Sequence, residues 1–330
     1  MQEYRIIGIE SSPYAVKVRA VMRYRRIPYV WIARMPQFFD ETAHVRPLIM
    51  PIVQFPNGDY RADSTPIIRD LESLHPNDRS IWPPNPAHAF LSELLEDMAD
   101  EWLTKSLFHH RFSRSRDQIS GASWVMDDSH PQVDSTTLDD LVANFIERQT
   151  SRMPIVGCTP QNAPLLESFL IELLEITEGF VQTDRFLFGS RPSLADFGLY
   201  GQLNTLANDP TAGDLIRQSA PRTGRWMRRV DDLSGVDGTW DDRAADTVRV
   251  LAELSGRYYL PFLAANMRSI DNGEATVRIE INGHDYTQPV FRYQAKCYDY
   301  LRHQYAALSV ESKLELDSIL EGTQCLQYLS

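Results

Sequence analysis

GIESSPYAVKVRAVM, residues 8–22, is where the reading of this chain begins. A strand-like run, YRIIGIE (4–10), halts at two serines, and Pro13 follows them. Beyond the proline, Val16, Val18, Ala20, Val21 and Met22 make an amphipathic run. Proline has no N–H to leave unpaired in a first helical turn, and the Ser12 hydroxyl can accept one of the free N–H groups there. Helix capping therefore explains Ser12 completely. The same helix end also carries unpaired donors and about half a positive charge, so it can hold an anion such as a thiolate. A hydroxyl donating to that thiolate would lower its pKa. Residues elsewhere must decide between the two readings.

Working outward, Tyr4–Ile9 reads as a strand, Pro13 to about Arg26 as a helix and Pro28–Ala33 as a second strand. Ile52–Phe55 and Tyr60–Ala62 flank PNGD, a hairpin signal. Ser64 to about His75 reads as a helix with Ile67, Ile68, Leu71 and Leu74 on one side. The order is β-α-β-(short helix)-β-β-α, a compact α/β unit of about 80 residues. RSIWPPNPAH (79–88) then packs three prolines into ten residues and reads as a stiff linker. The pattern turns helical over 88–112, where Leu91, Leu94, Leu95, Met98, Trp102 and Leu103 share a face, and again over 137–150, 164–181 and 193–207. A helical segment near 241–268 precedes ATVRIEINGHDYTQ (275–288), whose alternation and Asn282-Gly283 turn read as a hairpin. Helices near 291–308 and 311–321 follow. The expected division is 1–78, a linker at 79–87, an all-helical domain at 88–235 and an extension at 236–330.

Composition narrows the function. The chain has 330 residues, 43% hydrophobic and 24% charged, as in ordinary soluble globular proteins. Its 33 Lys and Arg against 45 Asp and Glu leave a net charge of −12, which argues against a general nucleic-acid binder. The five arginines of RQSAPRTGRWMRRV (217–230) read as a solvated helix face. Cys158, Cys297 and Cys325 are far apart and lack metal-like spacing, which favours a reduced, cytosolic setting. No signal peptide and no membrane span are expected.

Two further features bear on Ser12. Met50-Pro51-Ile52-Val53 places a proline at the first residue of a strand, where it is either an ordinary trans proline or a cis one that leaves the preceding backbone groups free for a peptide-like ligand. Asp63-Ser64 ends a strand and opens a helix. Ser64 either caps that helix or, with the local N–H groups, receives a ligand carboxylate while Asp63 receives an ammonium. His109-His110 lacks the spacing of a helical di-metal site, and no Gly-rich phosphate loop, GxSxG elbow or HExxH occurs.

Taken together, SSPYAVKVRAVM (11–22) and MPIVQFPNGDYRADSTPIIRDLESLHP (50–76) resemble the thioredoxin-like domain of the cytosolic glutathione S-transferases. GSRPSLADFGLYGQL (189–203) resembles that family's capping motif in the second domain, with Ser193 and Asp196 in capping positions. The resemblance covers about residues 4–230. It implies an α/β thioredoxin-like domain followed by an all-α domain, here with a C-terminal extension of hairpin and helices. It implies glutathione as co-substrate and no metal. Ser12 would polarise the thiol, with Ser11 as its understudy, and the Met50 backbone, Pro51, Asp63 and Ser64 would hold the tripeptide. Serine rather than cysteine at position 12 implies addition or substitution on an electrophile, not thiol exchange. Where serine-type members carry a lysine for the glycine end, this chain has Ile49, leaving Arg46 or Arg34 as substitutes. Tyr14, Trp102, Phe108 and Arg111 would line the pocket of a small apolar electrophile. The resemblance further implies a cytoplasmic homodimer that binds neither nucleic acid nor membrane. Two other activities fit the same residues: a non-catalytic transferase-fold binding or assembly protein, and a glutathione-dependent lyase or etherase.

Overall fold

A computed structural model describes residues 3–76, 79–181, 185–244 and 246–330. The first unit contains β1 (Tyr4–Gly8), α1 (Pro13–Tyr24), β2 (Tyr29–Ala33), α2 (Phe39–Thr42), β3 (Ile52–Gln54), β4 (Tyr60–Ala62) and α3 (Ser64–Leu74). Its four-stranded sheet has the order β2-β1-β3-β4. β1 and β2 run parallel and so need a crossover, which α1 supplies, while β3 and β4 pair antiparallel. Ile6 and Ile7 point to opposite faces of β1 and are both buried, so the sheet is covered on both sides. This is the order the sequence predicts. Leu74 departs from it: at the end of α3 it stands in solvent, outside the apolar stripe.

The helical unit comprises α4 (Pro86–Met98), a π-helical turn (Ala99–Leu103), α5 (Thr104–Phe112), α6 (Ser115–Ser129), α7 (Ser135–Thr150), α8 (Ala163–Phe180), α9 (Leu194–Asn208), α10 (Pro210–Ser219) and α11 (Pro221–Val230). The single helix expected over 88–112 is therefore two, joined through the π turn. α6 and α10 are helices that the sequence reading does not assign. In α9 the Asp196 carboxylate accepts from Ser193 N at 2.8 Å, Ser193 Oγ at 2.6 Å and Leu187 N at 3.2 Å, fixing the helix start as its motif predicts. On α11, Arg222, Arg225 and Arg228 face solvent while Trp226, Met227 and Val230 are buried.

α1 packs against α9 at Gly201, where a Cβ would stand 2.6 Å from the Pro13 carbonyl oxygen, so only glycine lets the helices approach this closely. One helical turn along, the fully buried Lys17 ammonium donates to Glu96 and, at 2.6 Å, to Asp100 Oδ2, tying α1 to α4 and the π turn. The extension holds α12 (Asp246–Leu254), a second π turn (Ser255–Tyr259), α13 (Leu260–Asp271), β5 (Thr276–Ile281), β6 (His284–Pro289), α14 (Arg292–Ala307), α15 (Val310–Leu320) and α16 (Leu326–Leu329). Its hairpin turns on Asn282 and Gly283, both at positive φ, as a two-residue loop requires. Phe262 and Tyr286 each pack 5.5 Å from the Trp102 ring. The extension thus belongs to the same continuous core as α4, α5 and α8.

Candidate active site

A cleft of about 920 Å³ opens between the first unit, α4 to α7 and α14. Ser12 lines it at the N-terminus of α1, in extended backbone, with its Oγ accepting from Ala15 N at 3.4 Å. Acceptance at that length leaves the hydroxyl proton unspent among the described residues, so Ser12 caps the helix and still has a donor for the cleft. Ser11 is clamped by its backbone: its N–H donates to Asp128 Oδ2 at 3.1 Å and its carbonyl accepts from Arg111 Nη1 at 3.1 Å. Its own Oγ is buried without a partner.

Met50 lines the cleft, and the Met50-Pro51 peptide is cis, as is Arg46-Pro47. Pro51 itself is buried behind Met50. Asp63 has φ of 78°, an uncommon conformation for a residue with a side chain, and it presents Ser64 at the first position of α3. Ser64 Oγ lies 3.4 Å from both Lys17 Nζ and Asp100 Oδ2, so this hydroxyl is already tied down from beneath. Burial alone would lower Lys17, but Asp100 and Glu96 outweigh it and hold the ammonium above its ordinary range. Of the two cations weighed for the place opposite Ile49, Arg34 lines the cleft, its guanidinium stacked 4.5 Å from the Phe39 ring. Arg46 instead donates to the Ala43 and Val45 carbonyls at 2.6 and 2.8 Å and does not line the cleft.

Across from Ser12, Tyr14, Phe108 and Arg111 all line the cleft. The Tyr14 hydroxyl is 2.9 Å from the Asp100 carbonyl and 3.0 Å from Thr104 Oγ1. Arg111 Nε sits between the Asp209 oxygens at 3.0 and 2.9 Å, and its Nη2 has no partner. Trp102 is a correction: it lies wholly within the core against Phe169, Phe262 and Tyr286 and does not reach the cleft. It stays on the face it shares with Leu91, Leu94, Leu95 and Met98, and that whole face is turned to the core while Asp97, Glu101 and Thr104 line the cleft. His109 and His110 are buried, one against Glu167 at 3.0 Å and the other against the Ser106 carbonyl at 2.8 Å, with no metal-binding group nearby among the described residues.

Residues 6–79 match the family model described as the glutathione S-transferase N-terminal domain. This first unit belongs to the glutathione S-transferase superfamily. No curated protein matches the chain significantly. Among solved structures, a beta-etherase from Sphingobium sp. strain SYK-6 is 15% identical with a TM-score of 0.47, covering 77% of this chain and 99% of its own. A glutathione S-transferase from Methylobacterium radiotolerans, in complex with glutathione sulfonate, is 20% identical with a TM-score of 0.43, covering 74% and 100%. A Tau class glutathione S-transferase from mango, Mangifera indica, is 14% identical with a TM-score of 0.43, covering 70% and 90%.

Beside this glutathione S-transferase domain lies a wall that the sequence reading missed. α4 and the π turn present Glu93, Glu96, Asp97, Asp100 and Glu101 to the cleft. α14 lies over them, with Tyr293, Gln294, Lys296, Cys297 and Tyr300 on its cleft side. The Tyr293 hydroxyl donates to Asp63 Oδ2 at 2.7 Å, so the extension already occupies one oxygen of the residue assigned to a ligand ammonium. The spacing 293, 294, 297, 300 is a helical stripe and was visible; what it faced was not. Among the described residues no helix is long and apolar enough to cross a membrane.

Proposed function

We propose that the chain is a glutathione-dependent transferase in which the Ser12 hydroxyl donates to the glutathione thiolate at the N-terminus of α1. One observation carries this reading: Ser12, Met50 and the Asp63-Ser64 pair, spread over some fifty residues of sequence, line a single cleft at the starts of two helices and one strand. In it, the Met50 backbone pairs with the tripeptide, the backbone N–H groups at the start of α3, Ser64 among them, take the γ-glutamyl carboxylate, and Asp63 takes the ammonium. Arg34 replaces the missing lysine at the glycine end. The thiol loses its proton, the sulfur forms a bond to an electrophilic carbon, and the leaving group or the adjacent carbon takes the displaced electron pair. Catalysis rests on lowering the thiol pKa and on proximity. The bound forms in the names of similar solved structures support glutathione as the thiol, and the beta-etherase among them keeps ether cleavage within the same proposal. A cytoplasmic homodimer goes with this reading, and light scattering tests the oligomeric state.

Calorimetric titration with reduced glutathione tests the core of it. Binding in the micromolar to low millimolar range is expected. Silence at high millimolar ligand, with no shift in melting temperature, overturns it. A non-catalytic transferase-fold binding protein is the second reading, favoured by Ile49 and by Tyr293 sitting on Asp63. Flow-through from a glutathione resin would favour it over the first.

A further inference from the structure

The five carboxylates of the cleft wall divide by what they face. Glu96 and Asp100 share the Lys17 ammonium, and Glu93 meets Arg69 at 3.5 Å. Asp97 and Glu101 have no cation within ion-pair distance among the described residues. Asp97 Oδ2 accepts from the Tyr259 hydroxyl at 2.7 Å, with the Cys297 thiol beside it. Glu101 Oε2 accepts from Gln294 Nε2 at 3.1 Å. Both acids are half-buried and both line the cleft.

Gln294 makes an independent case. Its Nε2 touches two acceptors, the carbonyl and Oε2 of Glu101, which fixes the amide orientation. Its Oε1 is then left with no donor, in a side chain only 4% exposed that lines the cleft. Asp100 Oδ1 is left the same way, because Lys17 and Ser64 use the other oxygen. Acceptors without donors and carboxylates without cations thus meet at one end of the cleft. Such groups are costly to bury unless a ligand completes them.

We infer that the end of the cleft between the first π turn and α14 binds an alkylammonium group, with the apolar body of that ligand lying along Leu107 and Phe108. The three N–H donors of an ammonium suit Asp97, Glu101 and Gln294 Oε1. The inference refines the second substrate from a purely apolar electrophile to an amine-bearing one, yet it stands on its own residues and survives if glutathione is not the thiol.

The surrounding groups set its pH dependence. Asp97 faces Tyr259, Cys297, Glu96 and Asp100; Glu101 faces Gln294, Asp97, Asp100, Lys105 and Tyr14, and also Tyr259, Tyr293 and Cys297. Lys105 spends its ammonium on the Val156 carbonyl at 3.1 Å and Gln288 Oε1 at 2.8 Å, and burial lowers it to about 8. Burial raises Asp97 to about 7 and Glu101 well above its ordinary range. Below neutrality Asp97 keeps its proton, and an ammonium has to displace it.

The test uses the whole chain and 2-phenylethylamine, charged at both pH 8 and pH 6, against neutral 2-phenylethanol in calorimetric titrations. At pH 8 the amine is expected to bind roughly tenfold tighter than the alcohol, and that advantage should vanish at pH 6. Glu101→Gln and Asp97→Asn should each cost the amine about tenfold and leave the alcohol unchanged. Ser12→Ala should leave amine binding intact, so loss of the thiol site and loss of this one are read apart. Equal affinity for amine and alcohol at pH 8, or no heat from the amine at about 10 mM, overturns the inference. So does amine binding indifferent to both substitutions. If either variant fails to fold, the pH comparison on the unaltered chain still decides.

Discussion

Ser12 and Ser64 each stand at the start of a helix that faces the same cleft, yet their surroundings differ. The Ser12 oxygen has one long contact, 3.4 Å from Ala15 N, and keeps its proton. The Ser64 oxygen is held 3.4 Å from Lys17 and from Asp100, within a buried network that also binds Thr65 Oγ1 to Glu96 at 2.5 Å. A serine at a helix start is therefore not one kind of object: Ser12 caps α1, whereas Ser64 is the first residue of α3, whose cap position is Asp63. At α1 it is a loosely held donor suited to a changing charge; at α3 it is a fixed part of the joint between the two units. On the proposed function, chemistry belongs to the first and positioning to the second.

Breaking the joint should have the larger effect. Lys17→Met leaves Glu96 and Asp100 buried without their cation and is expected to cost about 3–5 kcal/mol in denaturant unfolding. A loss below about 1 kcal/mol would mean the network does not bind the units together. Next comes Ser12→Ala, expected to lower kcat/KM by about a hundredfold with an electrophile that the chain turns over, for roughly 1 kcal/mol of lost cap. If Ser64→Ala produced the same kinetic loss at unchanged glutathione affinity, the contrast between the serines would collapse. Tyr293→Phe removes the hydroxyl from Asp63 and should tighten glutathione about tenfold, as a hydrogen bond to a charged group is worth about 1.5 kcal/mol or more. Weaker binding in that variant would instead make Tyr293 part of the tripeptide site.

The smallest effect is on stability against pH. Asp97 is raised by burial to about 7, so the folded chain holds a proton that the unfolded chain releases near pH 4. Its contribution is full below that lower value and is lost as pH rises through about 7. Melting temperature should fall between pH 5 and pH 7.5, and less so in Asp97→Asn. Asp196, raised by burial to about 6, contributes in the same direction and remains in the variant as a check.

Much of this architecture can be read from the chain because local chemistry and tertiary placement agree. Pro13 after Ser12, PNGD between two short strands and Asn282-Gly283 in an alternating run each demand one backbone conformation, and each has it. Ser193 and Asp196 likewise cap α9 as their spacing requires. The failures have a common cause. Trp102 shares a face with Leu91, Leu95 and Met98, and tertiary packing turns that whole face to the core and the opposite, acidic one to the cleft. Arg46 sits near the cleft in sequence but satisfies its own loop carbonyls. The acid wall was invisible because alternating Glu and Asp on a helix usually face water; only α14, arriving from some two hundred residues downstream, converts Asp97 and Glu101 from surface charges into cleft walls.

Gly201 has a consequence for how this molecule can change over generations. Its missing side chain sets the gap between α9 and the carbonyl of Pro13, the residue after Ser12. A single methyl at 201 would act as a wedge beneath the start of α1, lifting Ser12 relative to the wall that the helical unit contributes. Side chains on α14 that face the cleft can change without touching this contact, which holds the Ser12 end to a fixed gauge. Diversification of the chain is thus channelled toward its far end, with one hydrogen atom at position 201 as the constraint.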